Sequence, residues 1–323
     1  MFSNKRWTIM RRGRHRRAMS LLVLLGMIAT PPAALAGRPG GDPAFGGPRG
    51  ELEASAGFRA KRPGKRYSVT VPIGKPKPSV ALPRIEGPAD TRLPLVVIDA
   101  GHGGHDPGAI SPHGGEREKD ITLALARAIR ADLLASGRVR VALTRSDDRF
   151  LVLEERYGIA RRLKADLFIS VHADAAENRQ ARGASIYTLS EVASDREAAR
   201  LATRENKANI INGIDLGAHS GDVSAILLDL TQRETMNVAS EFARLLQREA
   251  SDEIEFRTTA HRFASFIVLK APDTPSVLFE TGFLSNKEDS EFLVSSAGQR
   301  KVARGVRDAV QIHFARRIAG TGR

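Results

Sequence analysis

The sequence predicts an α/β domain over residues 94–318, and three observations support this prediction. Short runs of β-branched and large apolar residues, typical of buried strands, alternate with longer segments of helical periodicity. Segments rich in glycine, proline and polar residues separate these elements, as expected for turns. Two of the strand-like runs lead to a histidine and a third ends in a glutamate. In open α/β sheets, ligands bind beyond the carboxyl ends of the strands, so these three residues indicate a functional edge.

The elements follow one another in a regular order from the start of this domain. A first strand-like run, Leu95–His102, leads into a glycine-rich loop. A helix over 121–136 then has apolar residues on one face, with Asp120 as its predicted N-cap and Gly137 in the C′ position. The further predicted helices are Leu153–Lys164, Met236–Ser251 and Ala297–Ile318, and the further predicted strands are Val139–Leu143, Asp166–Val171, Ala184–Leu189, Phe266–Lys270 and Ser276–Glu280.

Residues 190–235 interrupt this alternation. The segment from Ser194 to Ile211 is helix-prone and highly charged, and a turn-rich stretch, Asn212–Gly217, follows it. We therefore interpret 190–235 as a helical insertion between elements of the core.

The first 36 residues have the order of a secretory signal peptide. An arginine-rich segment, Met1–Arg17, precedes the apolar run Leu21–Ile28 and the small-residue cleavage site Ala34-Leu35-Ala36. The run is shorter than the ~20 residues that span a bilayer, so we expect cleavage near Ala36, with an uncleaved anchor as the alternative. The pair Arg16-Arg17 matches a twin-arginine signal poorly, so the export route stays open.

Residues 37–93 are rich in glycine, proline and basic residues. Such a composition interrupts both helices and ladders, and it predicts a linker with at most one isolated strand, Tyr67–Val71. We expect no folded N-terminal domain in this stretch.

The charge of the chain is concentrated at its N-terminal end. The formal net charge of the 323 residues is +13, a value that by itself suggests a nucleic-acid partner. Residues 1–36 contain seven basic and no acidic residues, and 37–93 contain eleven basic and five acidic residues. The remainder, 94–323, contains 32 of each sign. Because nucleic-acid recognition needs a basic face on the folded domain, we expect no nucleic-acid partner.

The predicted edge carries residues that could hold a catalytic metal. The chain has no cysteine, which excludes thiolate ligands, disulfides and a cysteine nucleophile. His102, Glu118 and His172 would supply two nitrogens and one oxygen, the usual number of protein ligands in a catalytic zinc site. His105 and His113 lie in the same loop as His102, and spacing alone does not exclude them. Asp99 and Asp174 are candidates to accept hydrogen bonds from the imidazoles.

Glu280 ends the last predicted strand. A carboxylate beside a metal site can accept a proton from water and pass it to a leaving nitrogen, and a zinc ion makes hydroxide available at neutral pH. The group therefore indicates metal-assisted hydrolysis of an amide. The alternative for Glu280 alone is a structural ion pair.

These residues lie in motifs that resemble the zinc-dependent N-acetylmuramoyl-L-alanine amidases of bacterial cell-wall turnover, the amidase-3 family. The similarity extends in order over essentially all of 94–316. It is carried by the stretches Val97–Gly104, Asp106–Ala109, Arg117–Asp120, Thr144-Arg145, Ala165–Asp174, Arg182–Ala184 and Pro275–Asn286.

The resemblance implies Zn2+ held by His102, Glu118 and His172, with Glu280 as the catalytic acid and base. It implies hydrolysis of the amide between N-acetylmuramic acid and the L-alanine of the stem peptide in periplasmic peptidoglycan, in cell separation or wall turnover. It also implies a twisted mixed sheet flanked by helices on both faces, and it favours His102 over His105 and His113.

Members that split the septal wall often carry an inserted helix whose acidic residue blocks the zinc. By this resemblance, the insertion at 190–235 is a regulatory segment and Glu205 is the blocking residue, with Glu197 and Asp215 as rivals and a solvated helix face as the alternative. The implied partner is then a LytM-type activator protein. Nothing in the sequence indicates an obligate oligomer, so we expect a monomer. The competing functions are a zinc peptidase with another amide substrate and a non-catalytic wall-binding regulator.

Overall fold

The computed structural model of the protein describes residues 80–207 and 224–321, and side chains over 80–207 and 231–319. The predicted signal peptide, residues 37–79 of the predicted linker and residues 208–223 of the predicted insertion lie outside this part of the chain. The proposed strand Tyr67–Val71 and the rival residue Asp215 are therefore outside the described residues as well.

The described residues form strands and helices in alternation. In chain order they are β1 (Leu95–Ala100), α1 (Glu118–Ala135), β2 (Arg140–Leu143), α2 (Leu153–Arg162), β3 (Leu167–His172), β4 (Ala184–Leu189), α3 (Arg196–Asn206), α4 (Ser224–Ala250), β5 (Phe256–Ala264), β6 (Ser276–Glu280), α5 (Lys287–Val294) and α6 (Ser296–Thr321). A short 3-10 helix, Ile267–Leu269, lies between β5 and β6. No helix of the described chain combines the length and the hydrophobicity that crossing a bilayer requires.

The strands form one mixed sheet with the order β2-β1-β3-β6-β4-β5. Strands β2, β1, β3 and β6 run parallel to one another, whereas β4 is antiparallel to β6 and parallel to β5. The central strands are buried along their whole length, which explains why their sequences are nearly continuous apolar runs. The prediction of a mixed α/β sheet is confirmed.

Helices cover both faces of the sheet. On one face, α1, α4 and α6 bury apolar residues against Val96, Ile98, Ile169 and Phe279. On the other face, α2, α3 and the 3-10 helix pack against Leu95, Val97, Phe168 and Leu278. Because side chains alternate along a strand, each strand contributes to both cores. Every second residue of β3 and β6, including the last residue of each, therefore lies on the face that α3 covers.

The start of α1 differs from the prediction. The helix begins at Glu118, so Glu118 is its first residue and Asp120 is not its N-cap; Arg117 occupies that position without a side-chain cap. The free amides of the first turn find other acceptors, since Glu118 N donates to Ala109 O at 2.8 Å and Lys119 N donates to Pro107 O at 3.1 Å. At the other end, Gly137 adopts φ +65°, as the predicted C′ position requires.

One later prediction is wrong, and one helix was not predicted. The run Phe266–Lys270 is not a strand: Ile267–Leu269 form the 3-10 helix, and β5 precedes it at Phe256–Ala264. A short apolar run has the same composition in a strand and in another buried segment, so periodicity could not separate them. The closing helix is also preceded by a separate helix, α5, whose N-cap Asn286 accepts hydrogen bonds from the amides of Glu288 and Asp289.

Residues 80–93, the end of the predicted linker, contact the domain. Glu86 exchanges backbone hydrogen bonds of 2.8 and 2.9 Å with Val141 at the edge of the sheet, and its carboxylate pairs with Arg130 at 3.0 Å. The domain boundary at residue 94 stays a prediction.

Candidate metal centre

Three parallel strands bring the predicted site residues to one edge of the sheet. His102 lies two residues beyond the end of β1, and His172 and Glu280 are the last residues of β3 and β6. His172 and Glu280 are direct register partners, so their side chains leave the same face side by side. The sheet therefore places these three residues close together, as the sequence predicted.

A strained loop delivers His102 to this edge. His102 has φ +61° and the next two residues, Gly103 and Gly104, have φ +128° and +61°. A non-glycine residue in this region is uncommon, and such strain persists where surrounding contacts over-determine it. One such contact comes from Lys119, which donates from Nζ to Gly104 O at 2.6 Å and pairs with Asp148 at 2.6 Å.

His102, Glu118 and His172 converge on one point. Nε2 of His102 lies 3.2 Å from Glu118 Oε2, and Nδ1 of His172 lies 3.2 Å from Glu118 Oε1. One nitrogen or oxygen from each residue lies within 4.8 Å of the others, and all three side chains are buried. The imidazole rings stand edge to face, with centroids 5.0 Å apart. Two imidazole nitrogens and a carboxylate form the donor set of many catalytic zinc sites.

The packing around the three residues fits a small cation. His102 Nε2 is buried with no hydrogen-bond partner, although buried polar nitrogens are nearly always paired. Gly101 and Gly108 leave room that any side chain would fill: a Cβ on Gly101 would lie 2.4 Å from the His172 ring, and one on Gly108 would lie 2.6 Å from Glu118 Oε2. The residues present are therefore compatible with a bound metal ion.

Asp106 orients the His102 ring. Its Oδ2 lies 2.9 Å from His102 Nδ1, so a proton on Nδ1 leaves the lone pair of Nε2 pointing at the cluster. Sequence reasoning proposed Asp99 and Asp174 as hydrogen-bond acceptors for the imidazoles, but neither carboxylate accepts from either ring. Asp99 accepts from Thr144, Ser170 and Arg156 instead, and Asp174 pairs with Arg204. The signal for Asp106 was its place in the loop, four residues after His102.

The electrostatics of the cluster favour positive charge. Burial alone would lower the pKa of His102, but the carboxylates of Glu118 and Glu205 and the bond to Asp106 raise it well above its usual value. Burial likewise opposes ionisation of Glu118, yet the two imidazoles hold its pKa well below the usual range. Both pKa shifts have the same cause: the buried carboxylates of this cluster are stabilised by positive charge beside them.

Glu280 lies beside this cluster with one oxygen anchored. Oε2 accepts from the backbone amide of Asp174 at 3.1 Å, whereas Oε1 is buried without a hydrogen-bond partner. Burial raises the pKa of Glu280 well above its usual value, and the charges of Glu118 and Glu205 act in the same direction. An anchored carboxyl with one unpaired oxygen next to the cluster is suited to proton transfer.

The α3 helix covers the cluster and brings in a further carboxylate. Glu205 is buried, and its Oε2 lies 3.5 Å from His102 Nε2 and 3.4 Å from His172 Nδ1. The neighbouring residues tie the helix down: Arg204 pairs with Asp174, and Asn206 donates to Ser265 O at 2.8 Å. The rival residue Glu197 does not reach the cluster, because it pairs with Arg257 and Arg262.

The competing histidines lie away from the cluster. The His105 ring packs on Phe150 with a centroid separation of 4.3 Å, and His113 Nε2 lies 3.1 Å from Ser285 O. The structure thus brings His102, Glu118, His172, Glu280 and Glu205 together, and it leaves out His105, His113 and Glu197.

The chain is similar to proteins of one known family. Residues 96–312 match the family described as N-acetylmuramoyl-L-alanine amidase. The chain belongs to this amidase family.

Named relatives of this chain occur in several bacteria. AmiC of Neisseria meningitidis serogroup B, an N-acetylmuramoyl-L-alanine amidase, is 37% identical over 221 residues, which cover 68% of this chain and 52% of that protein. The chain thus spans about half the length of that relative. AmiA of Escherichia coli K12 is 36% identical, and the match covers 68% of this chain and 76% of AmiA.

A solved structure has a similar fold. The catalytic domain of CwlV, an N-acetylmuramoyl-L-alanine amidase from Bacillus (Paenibacillus) polymyxa var. colistinus, superposes with a TM-score of 0.50 at 27% identity. The superposition covers 69% of this chain and 99% of that domain.

Two buried arginines hold the loop that carries His102, and sequence reasoning missed their role. Arg145 donates to Ala100 O at 2.9 Å and Gly101 O at 2.8 Å. Arg156 donates to His102 O at 2.7 Å and pairs with Asp99 at 3.0 Å. Arg145 lies in a stretch that resembles the family, but nothing local in the sequence indicates which carbonyls either side chain binds.

Proposed function

We propose that this protein is an exported, zinc-dependent N-acetylmuramoyl-L-alanine amidase. It would hydrolyse the amide between N-acetylmuramic acid and the L-alanine of the stem peptide in peptidoglycan, in cell separation or wall turnover. Membership of the amidase family supports the reaction. The observation that carries the proposal is the buried convergence of His102 Nε2, His172 Nδ1 and Glu118, with Glu280 at their side.

His102, Glu118 and His172 would hold the zinc ion. When bound, zinc supplies a Lewis acid that polarises the amide carbonyl and makes water a better nucleophile. The contribution of the chain is to fix the ligands. The Asp106 carboxylate keeps His102 in one tautomer, and Arg156 fixes the His102 carbonyl.

Glu280 would move the proton. Its Oε1 is the unpaired oxygen, so it is the atom that can take a proton from the attacking water and give it to the nitrogen of the departing L-alanine. The bond from Asp174 N to Oε2 holds the carboxyl in one orientation during both transfers. Burial excludes bulk water and strengthens these interactions.

The α3 helix would hold the enzyme inactive. In this proposal Glu205 occupies the open side of the metal site, and a LytM-type activator binds the form in which α3 has moved away. Such a partner can shift the equilibrium only by its differential affinity for the two forms. The contacts of Arg204 and Asn206 on either side of Glu205 support a discrete closed state.

The activity is tested on purified sacculi with the processed protein. We expect release of peptides that begin with a free L-alanine, while the glycan strands stay intact, and we expect a chelator to abolish the release. Glu280→Gln should reduce the rate at least a thousandfold while zinc content is retained, since it removes the group that moves the proton. Glu288→Gln, at an exposed ion pair, is the matched control. Full activity of the Glu280→Gln variant, or of the metal-free protein, would refute the proposal.

The regulation is tested separately. Glu205→Ala should raise the rate without activator, and Glu288→Ala should not. A Glu205→Ala protein no faster than the parent would argue against the blocking role while leaving the amidase assignment intact. N-terminal sequencing of the periplasmic protein tests export, and we expect the first residue to follow Ala36.

A further inference from the structure

A second set of ion pairs holds the α3 helix, at the end away from Glu205. Glu197, in the first turn of α3, pairs with two guanidinium groups. Arg257 donates to both of its oxygens, with Nη2 at 3.1 Å from Oε2, and Arg262 Nη1 lies 3.0 Å from Oε2. Asp195, the N-cap of α3, lies 3.6 Å from the same Arg262 nitrogen. Both carboxylates that face these arginines therefore belong to α3 and its cap.

The two arginines belong to the sheet and are fixed independently of α3. Both lie on β5, which pairs with β4. The Arg257 guanidinium lies 5.3 Å from the centre of the Phe283 ring, and Arg262 Nε donates to Thr259 O at 3.1 Å. Their side chains are 19% and 10% exposed, whereas Glu197 is 44% exposed. The cations are thus preorganised on the rigid element, and the anion is on the element proposed to move.

A cavity lies beside Glu197 and Arg257. Its volume is about 270 Å3, and its lining includes Asp174, Tyr187, Glu197, Arg204, Arg257 and Phe283. Asp174 donates its amide proton to Glu280. Burial raises the pKa of Tyr187 to about 12, with the charge of Glu280 acting in the same direction and Arg262 opposing it. Tyr187 is the register partner of Arg262, and its strand β4 lies between β5, which carries the arginines, and β6, which ends in Glu280.

We propose that Arg257 and Arg262 form a carboxylate-binding subsite for the stem peptide, which Glu197 fills as a surrogate while α3 covers the centre. This inference rests on the proposed amidase function. The ligand is a free carboxylate of the peptide that departs with L-alanine, because that side of the substrate is anionic and the cavity is lined by Asp174, whose amide binds Glu280.

The physical reason is the closeness of the two cations, which both bind Glu197. Like charges that share one site disfavour each other, and the carboxylate between them compensates for this repulsion. When α3 moves away with Glu197, the arginines lose that partner unless another anion arrives. A planar guanidinium group can donate two parallel hydrogen bonds to one carboxylate. A peptide carboxylate could therefore replace the negative charge and the hydrogen-bond acceptors of Glu197. Such a substrate would bind the open form preferentially and would favour opening.

The test compares two synthetic substrates with Glu205→Ala protein. One is N-acetylmuramoyl-L-alanyl-D-glutamate, and the other is its diamide, which has nearly the same shape without the carboxylate charges. We expect Arg257→Gln to lower kcat/KM for the free acid about tenfold and to leave the diamide nearly unchanged. Arg161→Gln, which breaks a two-hydrogen-bond pair with Asp273 outside the cavity, should change neither value. An equal change for both substrates would overturn the subsite.

A second variant leaves both arginines in place. Glu197→Gln in the otherwise unaltered chain should raise kcat/KM for the free acid more than for the diamide, because it frees the subsite. If Glu197 serves only as a latch for α3, both substrates gain equally and the proposal fails, even where Arg257→Gln does not fold. Failure of the amidase function itself is a different result, in which no variant turns over either substrate.

Discussion

Replacing Asp106 by asparagine should weaken zinc binding without unfolding the protein. Asp106 uses both oxygens: Oδ2 faces His102 Nδ1 at 2.9 Å, and Oδ1 accepts from Gly108 N at 3.1 Å. Asparagine has the same shape but only one acceptor oxygen. Either the imidazole or the Gly108 amide therefore loses its acceptor, and the negative charge that steadies the imidazole is lost in both cases.

The expected loss follows from the role of this contact. Burial raises the pKa of Asp106, but the bond and the charge of His102 lower it by more, so the carboxylate is ionised at neutral pH. Removing a carboxylate that orients a metal-bound histidine typically reduces metal affinity roughly 10- to 100-fold, which corresponds to about 1.4–2.7 kcal/mol. We expect Asp106→Asn to fall in this range. Asp106→Ala, which removes both acceptors, should lose at least as much.

Competition with a chromophoric chelator measures the zinc affinity of each protein. Asp147→Asn is the matched control, because Asp147 lies on the surface and pairs with Arg149. Thermal unfolding in excess chelator checks that the variants fold. An affinity of Asp106→Asn equal to that of the parent would refute the reasoning that this carboxylate sets the His102 tautomer.

Three further predictions concern packing and pH. Gly108→Ala should reduce zinc content and activity strongly, because its Cβ would lie 2.6 Å from Glu118 Oε2; a fully loaded, active variant would contradict the close approach. Arg156→Met should destabilise the domain by about 3–5 kcal/mol in urea unfolding, since it leaves the Asp99 charge buried without its cation. Burial and, to a smaller extent, Arg317 lower the pKa of His313 to about 4, so the unfolded chain takes up a proton on acidification before the folded one does. As the pH decreases from about 6.5, the free energy of unfolding should then decrease, by roughly 2 kcal/mol at pH 5. His313→Phe should remove this part of the pH dependence, and identical pH profiles of the variant and the parent would disprove the prediction.

The strands that build the site were readable from the sequence because they are buried on both faces. Such strands appear as continuous apolar runs with polar residues at their ends. Ala184–Leu189 matches the prediction residue for residue, and the runs of β1, β3 and β6 match closely. The residue types at the strand ends indicated metal-assisted hydrolysis. Parallel neighbours then bring those ends to one edge, which is a property of the fold class.

Contacts between distant elements were not readable in this way. The helix α1 begins at Glu118 because the carbonyls of Ala109 and Pro107 in the preceding loop accept hydrogen bonds from its first amides. No capping side chain in the sequence indicates this start. The run Ile267–Leu269 is held partly by Asn206, 61 residues away in the sequence, so its apolar composition did not reveal its conformation.

The sequence alone determined the alternation of elements, the position of the strand ends and the donor types available there, because these follow from local composition and periodicity. Only the tertiary structure decided that Nε2 of one histidine and Nδ1 of the other face the same carboxylate, that Asp106 rather than Asp99 orients His102, and that Glu205 reaches the centre while Glu197 binds two arginines. These outcomes depend on how α1 and α3 pack against the sheet. That packing sets distances of a few ångströms between residues that are far apart in the chain.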